Sequence, residues 1–316
     1  MTQQTHGHGA GRSRLVEEIE KVLRRQLGWN EIVMSERMWR FIGVNTEELL
    51  NYGIDPNAWL QTLSNLSIND TYMLGAVHGD IYVRTMSTNW CEIAATTSST
   101  TGVMYFERLM RTIKIPGIDI SIRRRRKEGR RPNVIYVKFY VLLRRDEWPW
   151  HDEDYEIMKN FSTTELLRYI AGLTDTDGSI MIVKSREYSF EVSITSANID
   201  FLKKLRDVIY ERLGIIGHVF NDRGNGGKLR FERQEAVQLC ELLRPYLSHP
   251  IRRLRTELYL MYYNGELAEK EFDRFYEPLE YDNNGDDPKR LRAVDMLTQA
   301  APQTHTHGER FKTIKK

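Results

Sequence analysis

The chain has 316 residues, 41% of them hydrophobic and 10% aromatic, which is enough for a buried core in one large domain or two medium ones and excludes a disordered protein. The net charge of +2 identifies no partner by itself, and no run of about 18 apolar residues predicts a membrane span. Only two cysteines are present, Cys91 and Cys240, so neither a disulfide framework nor a CxxC metal site is expected. The start "MTQQTHGHGAGR" lacks a hydrophobic signal core, and we expect a soluble protein of a reducing, intracellular compartment.

The two ends of the chain carry no recognisable chemistry. Residues 1–68 predict a helical N-terminal extension with a disordered start, because apolar residues recur at helical spacing over residues 13–27. Residues 266–316 predict a C-terminal helix followed by a polar tail.

Between these ends one order of elements occurs twice. Residues 69–161 predict a helix, two strands, a second helix and two further strands, and residues 162–265 predict the same order with a closing helix. The strand predictions rest on β-branched and aromatic residues separated by turn residues. We therefore expect an α+β fold of two tandem αββαββ(α) repeats related by a pseudo-twofold axis, like a homodimer fused into one chain.

Positive charge is concentrated at the end of the first repeat. Residues 111–145 contain twelve Lys or Arg against Asp119 and Glu128. Such a local excess is typical of a surface that binds a polyanion. The stretch "RRRRKEGRR" within it could also be a solvated hairpin tip, although four consecutive arginines favour an anion nearby.

Each repeat carries a short motif at its first helix. "MLGAVHGDI" (Met73 to Ile81) aligns with "IAGLTDTDG" (Ile170 to Gly178), which places Asp80 and Asp177 at equivalent positions 97 residues apart. The second motif resembles the LAGLIDADG motif of homing endonucleases, and the first resembles a more degenerate copy of it. The chain is thus similar to the monomeric, two-motif type of that family over roughly residues 69–262.

Small residues explain why such helices come in pairs. Gly75, Gly79, Ala171 and Gly172 would let two helix backbones pack closely, so that the carboxylates at the helix ends converge. The helix macrodipole makes that end still more negative, and a cation would be needed to neutralise it. Oxygen ligands with open positions suit Mg²⁺. An aspartate before a glycine is also ordinary helix punctuation, but its repetition disfavours that interpretation.

The resemblance implies specific roles at this end of the helices. Asp80 and Asp177 would be the catalytic residues, each serving one DNA strand, and would bind Mg²⁺ or Mn²⁺ for phosphodiester hydrolysis. The backbone carbonyls of Gly79 and Thr176 would complete the metal coordination.

The strands are expected to form a twisted saddle that fits the DNA major groove. Basic residues on or beside it are predicted to contact phosphates, giving affinity without sequence information. They are Arg84, Arg123, Arg124, Arg125, Arg126, Lys127, Arg130, Arg131 and Lys138 in the first repeat, and Lys184, Arg186, Arg223, Lys228 and Arg230 in the second. Glu191, Ser193 and Thr195 alternate along one strand and are predicted to contact base edges.

Some positions depart from the family pattern. His78 replaces an acidic or small residue and is expected at the helix surface or the core edge rather than as a ligand, and Ile81 replaces a glycine. The Gln or Lys that relatives place at the end of the second strand is absent from both repeats, so Lys138 and Arg230 are the candidates for basic assistance.

Two functions follow from these observations. One is a monomeric, Mg²⁺-dependent, site-specific endonuclease of double-stranded DNA, encoded by an intron or another mobile element and acting in the cytoplasm, nucleoid or an organelle. The other is a non-cleaving binder on the same scaffold, either a maturase that binds intron RNA or a DNA-binding regulator. The paired aspartates favour the first, and the missing Gln or Lys favours the second.

Overall fold

The structure, a computed structural model, describes residues 39–280 except 41, 57, 60–62, 64–65, 114–118, 125–134, 151–154, 185–187 and 223–225. The predicted helix over residues 13–27 lies outside this part of the chain. The α-helices are α1 Thr46–Leu50, α2 Thr71–His78, α3 Thr100–Arg111, α4 Thr163–Asp177, α5 Ile199–Leu213, α6 Arg233–Leu243, α7 Pro250–Tyr263 and α8 Glu269–Tyr276.

The strands form two separate antiparallel sheets of four strands each. Sheet 1 has the order β1-β2-β4-β3 and sheet 2 the order β5-β6-β8-β7. The strands are β1 Ile81–Thr85, β2 Trp90–Thr97, β3 Asp119–Arg124, β4 Ile135–Arg144, β5 Gly178–Lys184, β6 Tyr188–Ser196, β7 His218–Asp222 and β8 Gly226–Glu232. The identical strand orders confirm the predicted α+β fold with two repeats of the same topology.

Helices α2 and α4 pack against each other with almost no space between their backbones. A Cβ atom added at Gly75 would overlap the carbonyl oxygen of Tyr169, and one added at Gly172 would overlap that of Tyr72. The two contacts are equivalent. Gly172 lies 97 residues after Gly75 and Tyr169 lies 97 residues after Tyr72, and 97 residues also separate the two motifs. This reciprocity is the pseudo-twofold relation at atomic detail.

Each sheet buries one face in the core and carries its exposed side chains on the other, although the middles of the central strands β2 and β6 are buried on both faces. In β2 the residues Cys91, Ile93 and Ala95 are fully or almost fully buried, and in β6 the same holds for Val192 and Ile194. Because successive strand residues point to opposite sides, the intervening residues lie on the other face. We call that second side, which points away from the helices, the open face of each sheet.

The residues before α2 pack on the C-terminal helices. The Tyr52 hydroxyl donates a 2.5 Å hydrogen bond to Glu271 in α8, and Arg274 forms a 2.6 Å ion pair with Glu48 in α1. The described part of the predicted extension is therefore joined to the helix of the predicted C-terminal segment. The segment boundaries at residues 68, 161 and 265 remain predictions.

Two further expectations concern the cysteines and the membrane. Cys91 and Cys240 are buried free thiols. Within the described residues, no helix combines the length and the hydropathy needed to cross a bilayer.

Candidate nuclease site

The C-terminal ends of α2 and α4 meet, and each is followed directly by the first strand of its sheet. Gly79 caps α2, and Asp177 is the last residue of α4. A Cβ atom added at Gly79 would overlap the side chain of Thr176 and lie 3.3 Å from the Cβ atom of Asp177. Asp80, the next residue in the chain, is thereby placed beside Asp177, as predicted from the motif alignment.

The two carboxylates are close enough to influence each other's ionisation. Burial and the negative charge of Asp80 raise the pKa of Asp177 to about 7, against the opposing effects of the Thr195 hydroxyl and Arg252. The Thr195 hydroxyl donates to a carboxylate oxygen of Asp177 over 3.2 Å. Since Thr195 lies on the open face of sheet 2, this bond places the Asp177 carboxylate at the edge of that face.

An arginine that the sequence did not single out binds the end of α4. Arg252 in α7 is buried and donates to the backbone carbonyls of Asp175 at 2.8 Å, Gly178 at 2.9 Å and Thr176 at 3.3 Å. These carbonyls would otherwise lack donors at a helix end. The Thr176 carbonyl, a predicted metal ligand, therefore already accepts one hydrogen bond.

The first aspartate of the second motif has a structural role. The buried Asp175 carboxylate accepts hydrogen bonds from the Tyr72 hydroxyl at 2.7 Å and from the backbone N–H groups of Ser248 and His249 at 2.6 and 3.0 Å. It thus ties α2, α4 and the start of α7 together. Burial raises the pKa of Asp175 to about 6, with these donors acting in the opposite direction.

The first repeat has His78 where the second has Asp175. The His78 ring shares a 2.7 Å hydrogen bond with the Tyr169 hydroxyl, and Tyr169 is the pseudo-symmetric counterpart of Tyr72. His78 also packs against Tyr155 and Phe201. It is half-buried at the edge of the core, where it was expected.

On the open face of sheet 1, Lys138 is held by a glutamate. Its ammonium lies 2.7 Å from the carboxylate of Glu92, a buried residue of β2, and over the rings of Tyr82 and Tyr140. Burial works against the charged form, but hydrogen bonds to Glu92 and Tyr82 outweigh it and raise the pKa of Lys138. Arg84 is exposed on the same face, opposite Glu92 in the strand register.

Sheet 2 has a looser version of the same arrangement. The ammonium of Lys228 lies 3.9 Å from Glu191, and the guanidinium of Arg230 lies 3.5 Å from Glu191 and 3.2 Å from Glu232. Glu191 and Ser193, predicted to contact bases, are both buried, whereas Thr195 is half-buried.

Strand register makes the two glutamate pairs equivalent. Ile81 pairs with Ala95 and Gly178 with Ile194, and Glu92 and Glu191 each lie three residues before those partners. Lys138 is opposite Thr96, and Lys228 is opposite Thr195. Thr96 is thus the counterpart of Thr195, which binds Asp177, and each lysine lies on the strand next to that threonine. Sequence reasoning predicted the lysines and took Glu191 for a base contact, but it missed Glu92 and the pairing of both glutamates with the lysines, because that pairing depends on strand register.

The other predicted basic residues fall in less well-described positions. Arg123 and Arg124 lie in β3 and Lys184 ends β5, but their side chains are outside the described part of the structure. Wholly outside the described residues are Arg125, Arg126, Lys127, Arg130, Arg131, Arg186 and Arg223.

The carboxylate pair fits a divalent cation in one respect. Two like charges raise each other's cost of ionisation, and a cation between them would remove that cost. Among the described residues no group of three or more His, Cys, Asp or Glu suited to a metal occurs. The two aspartates and adjacent backbone oxygens would thus hold an ion only partly, leaving positions for phosphate oxygens.

Comparison with known proteins identifies the domain. Residues 164–275 match the family model described as a LAGLIDADG-like domain. Residues 164–275 form a LAGLIDADG-like domain. The match covers the second repeat, and the first repeat is related to it by the shared strand order and the reciprocal glycine contacts. This confirms the resemblance seen in the two motifs.

Solved LAGLIDADG structures are similar at low identity. The homing endonuclease I-WcaI bound to its DNA recognition sequence is 12% identical, with 67% of this chain and 98% of that chain covered and a TM-score of 0.47. I-SmaMI bound to cleaved DNA is 12% identical over 69% and 97%, with a TM-score of 0.43. The N-terminal LAGLIDADG domain of DUF199/WhiA is 16% identical over 59% and 88%, with a TM-score of 0.38. The search of curated proteins finds no match.

Proposed function

We propose that this LAGLIDADG protein is a monomeric, site-specific endonuclease that cuts both strands of a DNA duplex and is encoded by an intron or another mobile element. The observation that carries the proposal is the meeting of Asp80 and Asp177 at the abutting ends of α2 and α4. A protein that only binds nucleic acid gains nothing from two carboxylates facing phosphate, whereas a phosphodiesterase needs them to hold a cation.

Asp80 and Asp177, with the Gly79 and Thr176 carbonyls, would hold Mg²⁺ or Mn²⁺. A divalent ion there supplies neutralisation of phosphate charge and activation of water. The chain's own residues do the rest. Thr195 orients the Asp177 carboxylate, Arg252 fixes the backbone at the end of α4, and Lys138 and Lys228 bring positive charge to the cut strands.

The open faces of the two sheets would bind the duplex on either side of the carboxylates. Arg84, Lys138, Lys228 and Arg230 lie on these faces and suit phosphate contacts, which predicts affinity that falls steeply with salt. Glu92 and Glu191 neutralise part of that charge, so the undescribed basic segment at residues 125–134 would supply much of the remaining attraction.

The proposal is tested by cleavage of a duplex selected from a random library. Wild type, Asp80→Asn and Asp177→Asn are compared in Mg²⁺, with Asp207→Asn as control because Asp207 is an exposed residue of α5 paired only with Arg206. We expect both site variants to bind the duplex without making a double-strand break, and the control to cut like wild type. Full cutting by either site variant refutes the assignment.

A non-cleaving nucleic-acid binder is the second candidate, and Arg252 favours it. An arginine bound to the Thr176 carbonyl competes with any metal ion for that oxygen. Under this hypothesis, wild type binds a selected duplex or an intron RNA but leaves both strands intact at all Mg²⁺ and Mn²⁺ concentrations. Tighter binding of the RNA than of the duplex of the same sequence would identify the maturase form.

A further inference from the structure

Three large apolar side chains lie exposed together at one end of the open face of sheet 1. Met86 follows β1, Trp90 begins β2 and Leu142 lies in β4, and these residues are 51%, 48% and 47% exposed. The backbone N–H of Met86 donates to the Trp90 carbonyl over 2.9 Å, and Leu142 pairs with Glu92, two residues along β2 from Trp90. We call Met86, Trp90 and Leu142 the apolar patch.

Strand alternation places the patch on the open face of sheet 1, the face proposed to bind DNA. Arg84 and Glu92 are on the open face, and Met86, Trp90 and Leu142 share their side of the sheet because each is two residues from them or directly opposite. The patch therefore continues the surface that carries Arg84 and Lys138.

Sheet 2 provides an internal comparison, because its strands have the same register. Counting from the equivalent pairs Ile81–Ala95 and Gly178–Ile194 aligns each patch residue with one residue of sheet 2. The aligned pairs are Met86 with Val183, Trp90 with Ser189 and Leu142 with Glu232. Two of the three large apolar side chains are thus replaced by a hydroxyl and a carboxylate, so the patch is not required by the fold.

The occupant of the patch follows from the chemistry of the groove. Base edges in the major groove present one sizeable apolar group, the C5-methyl of thymine. We propose that the apolar patch contacts thymine methyl groups in the half of the target bound by sheet 1, while sheet 2 lacks such contacts at the equivalent positions. This inference rests on the proposed DNA-binding function and adds which bases one half-site contains.

The charge around the patch agrees with a DNA occupant. Arg84 lies beside it on β1, and Arg144, which pairs with Trp90 in the strand register, forms an exposed 2.9 Å ion pair with Asp146 that phosphate can replace. Cationic residues bordering an apolar centre suit base edges flanked by phosphates.

The test measures binding with and without the methyl groups. The full chain carrying Asp80→Asn and Asp177→Asn, which binds without cutting under the proposed function, selects duplexes from a random library. The selected duplex is then made with deoxyuridine replacing thymidine, which removes only the methyl, in one half at a time. We expect substitution in one half to weaken binding about four-fold per contacted methyl, and substitution in the other half to leave binding unchanged.

A matched variant assigns the effect to the patch. Trp90→Ser with Leu142→Glu installs the residues that sheet 2 has at the aligned positions, and both sites are exposed, so folding is retained. In this variant the uracil effect should disappear. As a control, Val183→Ser on sheet 2 should leave it unchanged.

The outcomes separate the inference from the function on which it rests. Specific binding with no uracil effect in either half, or with an effect that persists in the double variant, overturns the inference and leaves DNA recognition intact. Failure to select any duplex refutes the proposed function and the inference with it. A dimer in sedimentation that the double variant abolishes, with unchanged uracil sensitivity, assigns the patch to a second copy and also overturns the inference.

Discussion

A methyl group has no room at two positions in the contact between α2 and α4. We predict that Gly75→Ala or Gly172→Ala lowers the free energy of unfolding by about 3 kcal/mol or more, because the added Cβ overlaps a backbone carbonyl that cannot move without separating the helices. Urea denaturation of each variant measures this. The two losses should be similar, since the positions are pseudo-symmetric.

Gly265 supplies the control for this substitution. It has a φ of +74° with nothing within 4 Å of an added Cβ, so alanine there meets only the backbone strain of the left-handed region, about 1 kcal/mol. If Gly75→Ala lowered the free energy of unfolding no more than Gly265→Ala, that result would contradict the close approach of α2 and α4.

The three carbonyl contacts of Arg252 predict a role in stability. Arg252→Lys keeps the charge but loses the planar fork that reaches Asp175, Thr176 and Gly178, so we expect a loss of about 2–4 kcal/mol. Thermal or urea unfolding measures it. The same substitution at Arg206, a half-buried residue of α5 that pairs with the exposed Asp207, should change stability by less than about 0.5 kcal/mol. Equal effects at both sites would mean that the fork contributes nothing.

Residues differ in how far the sequence predicts them. Gly75, Gly172 and the aspartates were predictable because the motif is local and occurs twice. Arg252 and Glu92 were not, because their partners lie far along the chain and depend on how α7 docks and how β2 pairs with β4. The local sequence pattern predicts which side chains a helix or strand carries, whereas tertiary packing decides which residues those side chains contact.

At the scale of elements, the end of α4 and the start of α7 form one buried junction. His249 caps α7, its backbone N–H donates to Asp175, and its ring packs 5.0 Å from that of Tyr105. Burial, followed by the positive charges of Arg252 and Arg255, lowers the pKa of His249 well below its ordinary value. The imidazole is therefore neutral in the folded protein.

Within this junction, His249 contributes a loss of stability in acid. Because His249 has a lower pKa folded than unfolded, the unfolded chain binds its proton first, and stability present above pH about 6.5 falls as pH decreases, by up to about 1.4 kcal/mol per pH unit. His249→Asn, which keeps the backbone bond to Asp175, should remove that contribution. Urea unfolding between pH 7 and pH 5 measures the difference in slope.

The effect of His249 is obtained by subtracting the pH profile of His249→Asn from that of the wild type. Asp175 and Asp177 have raised pKa values of about 6 and 7, and their contributions change in the opposite direction over the same range. These terms are common to wild type and variant. Parallel pH profiles for the two would contradict the assignment to His249.

Element order was predictable, whereas sheet construction was only partly so. The helical spacing of apolar residues predicted the helices of both repeats, and β-branched and aromatic runs between turn residues predicted their hairpins. The structure confirms that fold. The sequence did not predict that β2 and β4, distant in the chain, form the centre of sheet 1, since hairpin signals are local and this pairing is not.

At the scale of the whole molecule, a symmetric frame carries unlike surfaces. Strand order, helix contact and the glutamate–lysine pairs repeat, but Lys138 lies 2.7 Å from Glu92 whereas Lys228 lies 3.9 Å from Glu191, with Arg230 competing. In the second repeat, Arg252 binds the backbone at the end of the motif helix. Two repeats in one chain have separate sequences, so their surfaces can differ, and binding of an asymmetric DNA target would require such a difference.

The shared helix contact predicts that both repeats unfold together. Neither α2 nor α4 can stay folded alone without exposing the glycine surface, and Asp175 bonds across to Tyr72 and Ser248. All six tryptophans lie within the first 150 residues, so tryptophan fluorescence follows mainly the first half, while hydrogen exchange of β6 and β8 follows the second. We expect the two probes to give one urea midpoint, and Gly75→Ala to lower both equally. Protection of β6 that outlasts the fluorescence transition would show that the repeats are independent.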